Sequence, residues 1–199
     1  MTLGLLLIGC SSKTVADKTS RQELIRYVND KKNGLAKEVN SNGTRVKVSY
    51  QPSCLLVASE LNQGQENDID TIKKLENKYR DRYYFLLKFS RNGSEAIRQL
   101  GSFSSYSDMV QVLAFQMRSF VNLTTPQKDT LDLEDYFFDQ TYGMSDANTI
   151  LLSFGKEKIK NQKEIEINIG ECGFGTGAIK FSFDMDDIRK TPVLEYSLL

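Results

Sequence analysis

The stretch "EIEINIGECGFGTGAIKFSF" at residues 164–183 decides the fold class. Its first arm alternates Ile165, Ile167 and Ile169 with polar residues. Its second arm does the same with Ile179, Phe181 and Phe183. Period-two alternation describes a strand with one face buried and one face wet. Only "ECGFGTG" separates the arms, so they read as a hairpin. "TILLSFG" at residues 149–155 adds a strand just upstream, and the C-terminal third reads as sheet.

Working outward, the earlier chain reads mainly as helices with strands between them. "SRQE" at residues 20–23 fits a capping box, with the Ser20 hydroxyl and Glu23 carboxylate satisfying early helix N–H groups. Leu24, Val28, Leu35 and Val39 then fall on one helical face, with Asn33-Gly34 as a break. "SNGTRVKVSY" gives a turn followed by a strand in which Val46, Val48 and Tyr50 point inward. Pro52 opens a short helix that ends near residues 62–64. Asp68 caps a third helix carrying Ile69, Ile72, Leu75 and Tyr79. A strand follows with Tyr83, Phe85, Leu87 and Phe89 alternating. Ser107 or Asp108 caps a further helix with a stripe of Val110, Leu113, Met117 and Phe120, which stops before Pro126. Helices early and adjacent strands late predict a single α+β domain. Its sheet is expected to be mostly antiparallel, with strands concentrated in the C-terminal third, packed against several helices.

Composition excludes several chemistries. The 199 residues suffice for one domain with a core that needs no disulfide staples. Lys+Arg and Asp+Glu are equal at 26 each, so no net positive field argues for a nucleic-acid partner. "YRDRYYFLLKF" at residues 79–89 interleaves bases with rings, but its alternation is that of a strand. There is no histidine, which removes Ser-His-Asp and Cys-His catalysis and His-ligated zinc together. No run of 18 apolar residues is present to span a bilayer as a helix.

"LGLLLIG" at residues 3–9 is too short to cross roughly 30 Å of hydrocarbon, and has the length of a signal-peptide h-region. It runs into Cys10, and "SSKTVADKTS" then turns polar at once. "LIGC" at residues 7–10 resembles the lipobox of bacterial lipoproteins. The resemblance implies cleavage before Cys10, a diacylglycerol on its thiol and usually acylation of the new amino terminus. It covers only the first dozen residues. Residues 1–9 contain no Lys or Arg, a departure from signal peptides that implies a basic stretch lost upstream of the assigned start. The competing reading is a hydrophobic first strand ending in cysteine. The resemblance divides the chain into a signal peptide at 1–9, a lipidated Cys10 with its tether at 10–20, and one α+β domain at 21–199. Two or more acyl chains hold a protein stably at a membrane. Ser11 after the cysteine resembles outer-membrane sorting in Gram-negative lipoproteins.

Other groups of residues are candidate sites. "GFGTGA" at residues 173–178 has the letters of a dinucleotide fingerprint, but a strand follows it where the mechanism needs a helix. It reads as a glycine-rich hairpin, and no nucleotide or other cofactor is expected. "DMDD" at 184–187 and "DLEDYFFD" at 132–139 gather carboxylates without calcium-loop spacing, so turn and cap roles are expected and no metal. Cys54 and Cys172 form a disulfide on one reading and remain two buried thiols on the other. Tyr136, Phe137, Phe138 and Tyr142 crowd a stretch that reads as a loop or short helix. They form either a partner-binding patch or part of the core. The expectation is a lipid-anchored envelope protein, held at the membrane by Cys10, that binds an envelope partner as an accessory or assembly factor. The alternatives are an envelope hydrolase using carboxylates or a serine, and a small-ligand carrier.

Overall fold

The computed structural model describes residues 18–61 and 68–198. The residues expected to form the signal peptide, together with Cys10 and most of the tether, lie outside them. The 164–183 hairpin is present as strands β10 (Glu164–Ile169) and β11 (Ile179–Asp184), paired antiparallel with Ile165 opposite Phe183 and Ile169 opposite Ile179. On the other side β10 pairs with β6 (Val121–Thr124), which pairs with β7 (Thr130–Asp132). This four-stranded sheet turns Glu166, Asn168 and Lys180 outward, with Lys180 Nζ 2.8 Å from Glu166 Oε1.

A larger antiparallel sheet takes its middle from the first half of the chain. Its order is β2 (Ala36–Ser41), β3 (Thr44–Gln51), β4 (Arg82–Arg91), β9 (Asn148–Gly155) and β8 (Asp135–Asp139). The short β5 (Ser94–Glu95) folds back on β4. Asn42-Gly43 and Asn92-Gly93 make the tight hairpin turns with both residues at positive φ, the geometry that asparagine and glycine tolerate best. Beyond the two sheets, β1 (Lys18–Thr19) pairs in parallel with β12 (Val193–Leu194). The folded domain therefore reaches back to Lys18 and takes in the last three residues of the expected tether.

The sheets face one another across the core. Val46, Val48, Phe85, Leu87, Phe89, Ile150 and Leu152 line the inner side of the larger sheet. Leu123, Ile165, Ile167, Phe181 and Phe183 line that of the smaller. The Phe85 and Phe183 rings meet at 5.2 Å between centroids, and Phe89 meets Phe174 at 4.8 Å. Helices α1 (Arg21–Asn29) and α2 (Ser53–Glu60) lie over the outer side of the larger sheet, and α3 (Ile69–Tyr79) packs on α2. The Ser20/Glu23 capping box starts α1 as expected.

Three expectations give way. Helix α1 ends at Asn29, so Leu35 enters the core from the following turn and Val39 lies on β2, 38% exposed. Helix α4 (Phe103–Gln111) starts at Ser102, whose hydroxyl accepts from the Ser105 N–H at 3.1 Å, rather than at Ser107 or Asp108. It widens into a π-helical stretch over Val112–Gln116 and leaves helical structure by Ser119. That widening brings Met109, Leu113 and Met117 into the core, while Val110 and Phe120 are only partly buried. Strand β6, not a helix, precedes Pro126. The short α5 (Met185–Arg189) completes the fold. Among the described residues no helix is long and apolar enough to cross a membrane.

Candidate functional site

A cleft with a volume of about 450 Å³ is assembled from residues 50–80 and the C-terminal segment. Tyr50 and Pro52 come from β3 and its exit, and Cys54 and Val57 from α2. Glu76, Asn77 and Arg80 come from α3 and the residue after it. The opposite wall is Ile188 of α5 with Thr191, Pro192, Val193 and Tyr196. The start of α2 is where the chain turns off the sheet. The Pro52 ring fixes φ at −53° there, which directs Cys54 toward the β12 wall.

The Tyr50 and Tyr196 hydroxyls and the Cys54 thiol in this cleft hold their protons at neutral pH. Burial pushes the Tyr50 hydroxyl far above its ordinary value, with Tyr83 and Cys54 adding to the shift. Burial does the same to Tyr196, reinforced by Cys54 and by the Glu76 carboxylate beside it. The Cys54 thiol is also raised by burial, so at neutral pH it is neither a thiolate nucleophile nor a thiolate ligand. Among the described residues lining the cleft, Glu76 is the one carboxylate and Arg80 the one guanidinium. The cleft thus offers apolar walls with two phenol donors and a charged rim. Such a lining can hold and orient a ligand.

Cys54 and Cys172 are both free thiols. Cys54 stands by Tyr50, whose ring packs on Phe85, whereas Cys172 belongs to the loop whose Phe174 packs on Phe89. Phe85 and Phe89 are four residues apart on β4, on the order of 13 Å along a strand, and a bridge needs Cα atoms within about 7 Å.

The aromatic run is the strand β8, not a loop or short helix. Alternation splits it: Tyr136 and Phe138 point inward and are half-buried, with the Tyr136 hydroxyl 3.0 Å from the Ala114 carbonyl. Phe137 points to the outer face, 64% exposed, and Tyr142 lies beyond the strand, 63% exposed. The four rings therefore make no single patch.

The glycine-rich loop explains itself. The Glu171 carboxylate accepts the N–H groups of Gly173, Gly175 and Gly177 at 2.7, 2.8 and 2.6 Å. Donors that would face a phosphate in a nucleotide site instead enclose an internal carboxylate. Asp184 caps α5 by accepting from the Asp186 N–H at 2.7 Å, and Asp186 pairs with Arg189, the cap and turn roles expected for "DMDD". Among the described residues no three His, Cys, Asp or Glu side chains gather as a metal site.

The chain matches no protein-family model, no curated protein and no solved structure. No local stretch of sequence reveals the cleft, because Cys54 and Tyr196 come from distant parts of the chain. Only the proline-bounded start of α2 hinted that Cys54 would be turned off the sheet.

Proposed function

We propose that this chain is a lipid-anchored cell-envelope lipoprotein that works by binding, as an accessory or assembly factor of the envelope. Acyl chains on Cys10 hold it at the membrane, and Ser11 favours the outer membrane of a Gram-negative bacterium. The observation that carries the reading is the position of β1. Lys18 stands eight positions after Cys10, and β1 pairs with β12, whose Val193 walls the cleft. Eight residues span at most about 29 Å fully extended. An anchored chain therefore presents this cleft close to the membrane surface, where an envelope partner is met. The protonated thiol and phenols of the cleft support binding over hydrolysis, and the hydrolase reading needs a second carboxylate beside Glu76.

The test compares wild type with Cys10→Ser in membranes, using detergent extraction, mass spectrometry and gentle crosslinking. The expected result is release of wild type by detergent only, with an acylated N-terminal Cys10, and recovery of Cys10→Ser in the soluble fraction. Crosslinks to an envelope protein should involve residues around the cleft, such as Arg80 or Val193. A wild-type chain intact ahead of Cys10 with a bare thiol overturns the anchor. An anchored chain that crosslinks to nothing overturns the accessory role.

A further inference from the structure

A second groove, independent of the anchor and of the Cys54 cleft, lies on the outer side of the larger sheet between α1 and α2. Its volume is about 280 Å³. Its apolar lining includes Ile25, Leu55, Leu56 and Leu86. Its charged lining is Arg21, Lys47 and Lys88, three cations and no acid among the described residues. In a chain with equal numbers of acidic and basic residues, that is a local imbalance.

The two lysines are an unfavourable choice for the fold alone. Lys47 and Lys88 sit directly opposite each other on β3 and β4, a pairing in which like charges destabilise a sheet. Lys47 Nζ is 2.7 Å from the neutral Asn29 Oδ1. Glu38, across the other edge of β3 from Lys47, is 3.1 Å from Lys31. Among the described residues neither Lys47 nor Lys88 forms an ion pair. Burial lowers the Lys47 pKa, and Lys88 adds to this against the opposing pull of Glu38 and Asp146. An anion placed between the two ammonium groups would relieve both the repulsion and the desolvation.

Beyond the groove lining, the apolar outer face of the sheet continues from Leu86. Leu86 pairs with Leu151 of β9, and Leu151 pairs with Phe137 of β8. This row crosses three strands, roughly 10 Å at ordinary strand spacing, and ends at an exposed ring.

We propose that this groove binds a single-chain amphipathic anion, a carboxylate held by Lys47 and Lys88 with its alkyl chain over Leu86 toward Leu151 and Phe137. The occupant is a free fatty-acid-like molecule rather than a lipid within a bilayer. The groove is recessed between two helices, so a headgroup fixed in a membrane plane would have to leave that plane to reach the lysines.

The experiment is calorimetric titration of the full chain carrying Cys10→Ser, which retains every groove residue and dispenses with detergent. Decanoate is the probe, with hexanoate, decanol and decylammonium for comparison. Decanoate should saturate one site. Each CH₂ removed should weaken binding about fourfold, so hexanoate binds on the order of a hundredfold less tightly. Decanol and decylammonium should bind at least tenfold more weakly than decanoate. Lys47→Met/Lys88→Met should weaken decanoate at least tenfold while leaving decanol unchanged. The single Lys88→Met variant, which removes the like-charge contact, should unfold at a urea concentration no lower than wild type and still lose affinity, separating binding from folding. Decanoate binding unchanged by these substitutions overturns the proposal. So does lysine-dependent binding to phosphatidylglycerol vesicles by a chain that does not bind monomeric decanoate.

Discussion

At the scale of single residues, Glu171 and the two cysteines show how burial and hydrogen bonding set chemistry. Burial pushes the Glu171 carboxyl up, but three backbone N–H groups and Thr176 outweigh it and hold the pKa below its ordinary 4.5. Because the site faces solvent in part, these bonds together contribute only about 1–2 kcal/mol. Glu171→Gln should lower stability by that amount at pH 7, measured by urea unfolding. The folded carboxyl titrates lower than the unfolded one, so its contribution is whole above 4.5 and fades as pH falls through the folded value. The gap between wild type and Glu171→Gln should therefore narrow as pH falls below 4.5, and a gap independent of pH would refute the cradle. The thiols differ in access. Burial, aided by the Glu171 charge, pushes Cys172 up to about 12, and its side chain is 4% exposed. Cys54 is half-buried and lines an open cleft. Iodoacetamide at pH 8 should alkylate Cys54 slowly and Cys172 only after denaturation. Mild oxidation should leave no intrachain bridge by mass spectrometry.

Elements were legible where a local signal had no competitor. The β10–β11 hairpin, the Ser20 capping box and the Asn-Gly turns each announce themselves within a few residues. Helix α4 did not, because "SFSSYSD" at residues 102–108 offers several caps, and the winning Ser102 leaves Phe103 85% exposed at the first turn. No local rule selects an exposed phenylalanine. Core packing of Met109, Leu113 and Met117 does. Strand β8 was hidden because rings occupy both of its faces, which erases the alternation. The turns allow a direct check of backbone conformation. Gly43 has φ of +76° with nothing near a built-on Cβ, so Gly43→Ala should cost about 1–2 kcal/mol from conformation alone. Gly34 has φ of +69°, but there a Cβ would run into the Asp187 carboxylate. Gly34→Ala should cost more than Gly43→Ala in urea unfolding, and the excess should disappear in an Asp187→Ala background. Equal costs in the wild-type background would show that Asp187 yields freely.

For the whole molecule, the sequence conveyed the α+β class and not the way two sheets share one core. Periodicity reports which face of a strand is buried, and Phe85 and Phe183 each declared one. Nothing local to either says that β4 and β11 face each other, since pairing order and sheet stacking depend on contacts across about a hundred residues. The Cys54 cleft was illegible for the same reason, being walled by α2, α3 and the C-terminal segment. The shared core makes a strong demand on stability. Phe183 is fully buried, touches Phe85 across the inter-sheet space and has Lys37 Nζ 5.7 Å from its ring centre. Phe183→Ala leaves a cavity bounded by both sheets and should cost about 3–5 kcal/mol, a large share of the roughly 5–15 kcal/mol that holds a domain together. Phe137→Ala removes the same side chain from the outer face, where it is 64% exposed, and should change stability by no more than about 0.5 kcal/mol. Unfolding followed by far-ultraviolet circular dichroism and by tyrosine fluorescence should give coincident transitions in both variants, with the Phe183→Ala midpoint far lower. Because the two sheets bury one another, separate transitions for the two probes in Phe183→Ala would mean that each sheet holds a core of its own, contrary to the packing of Phe85 on Phe183.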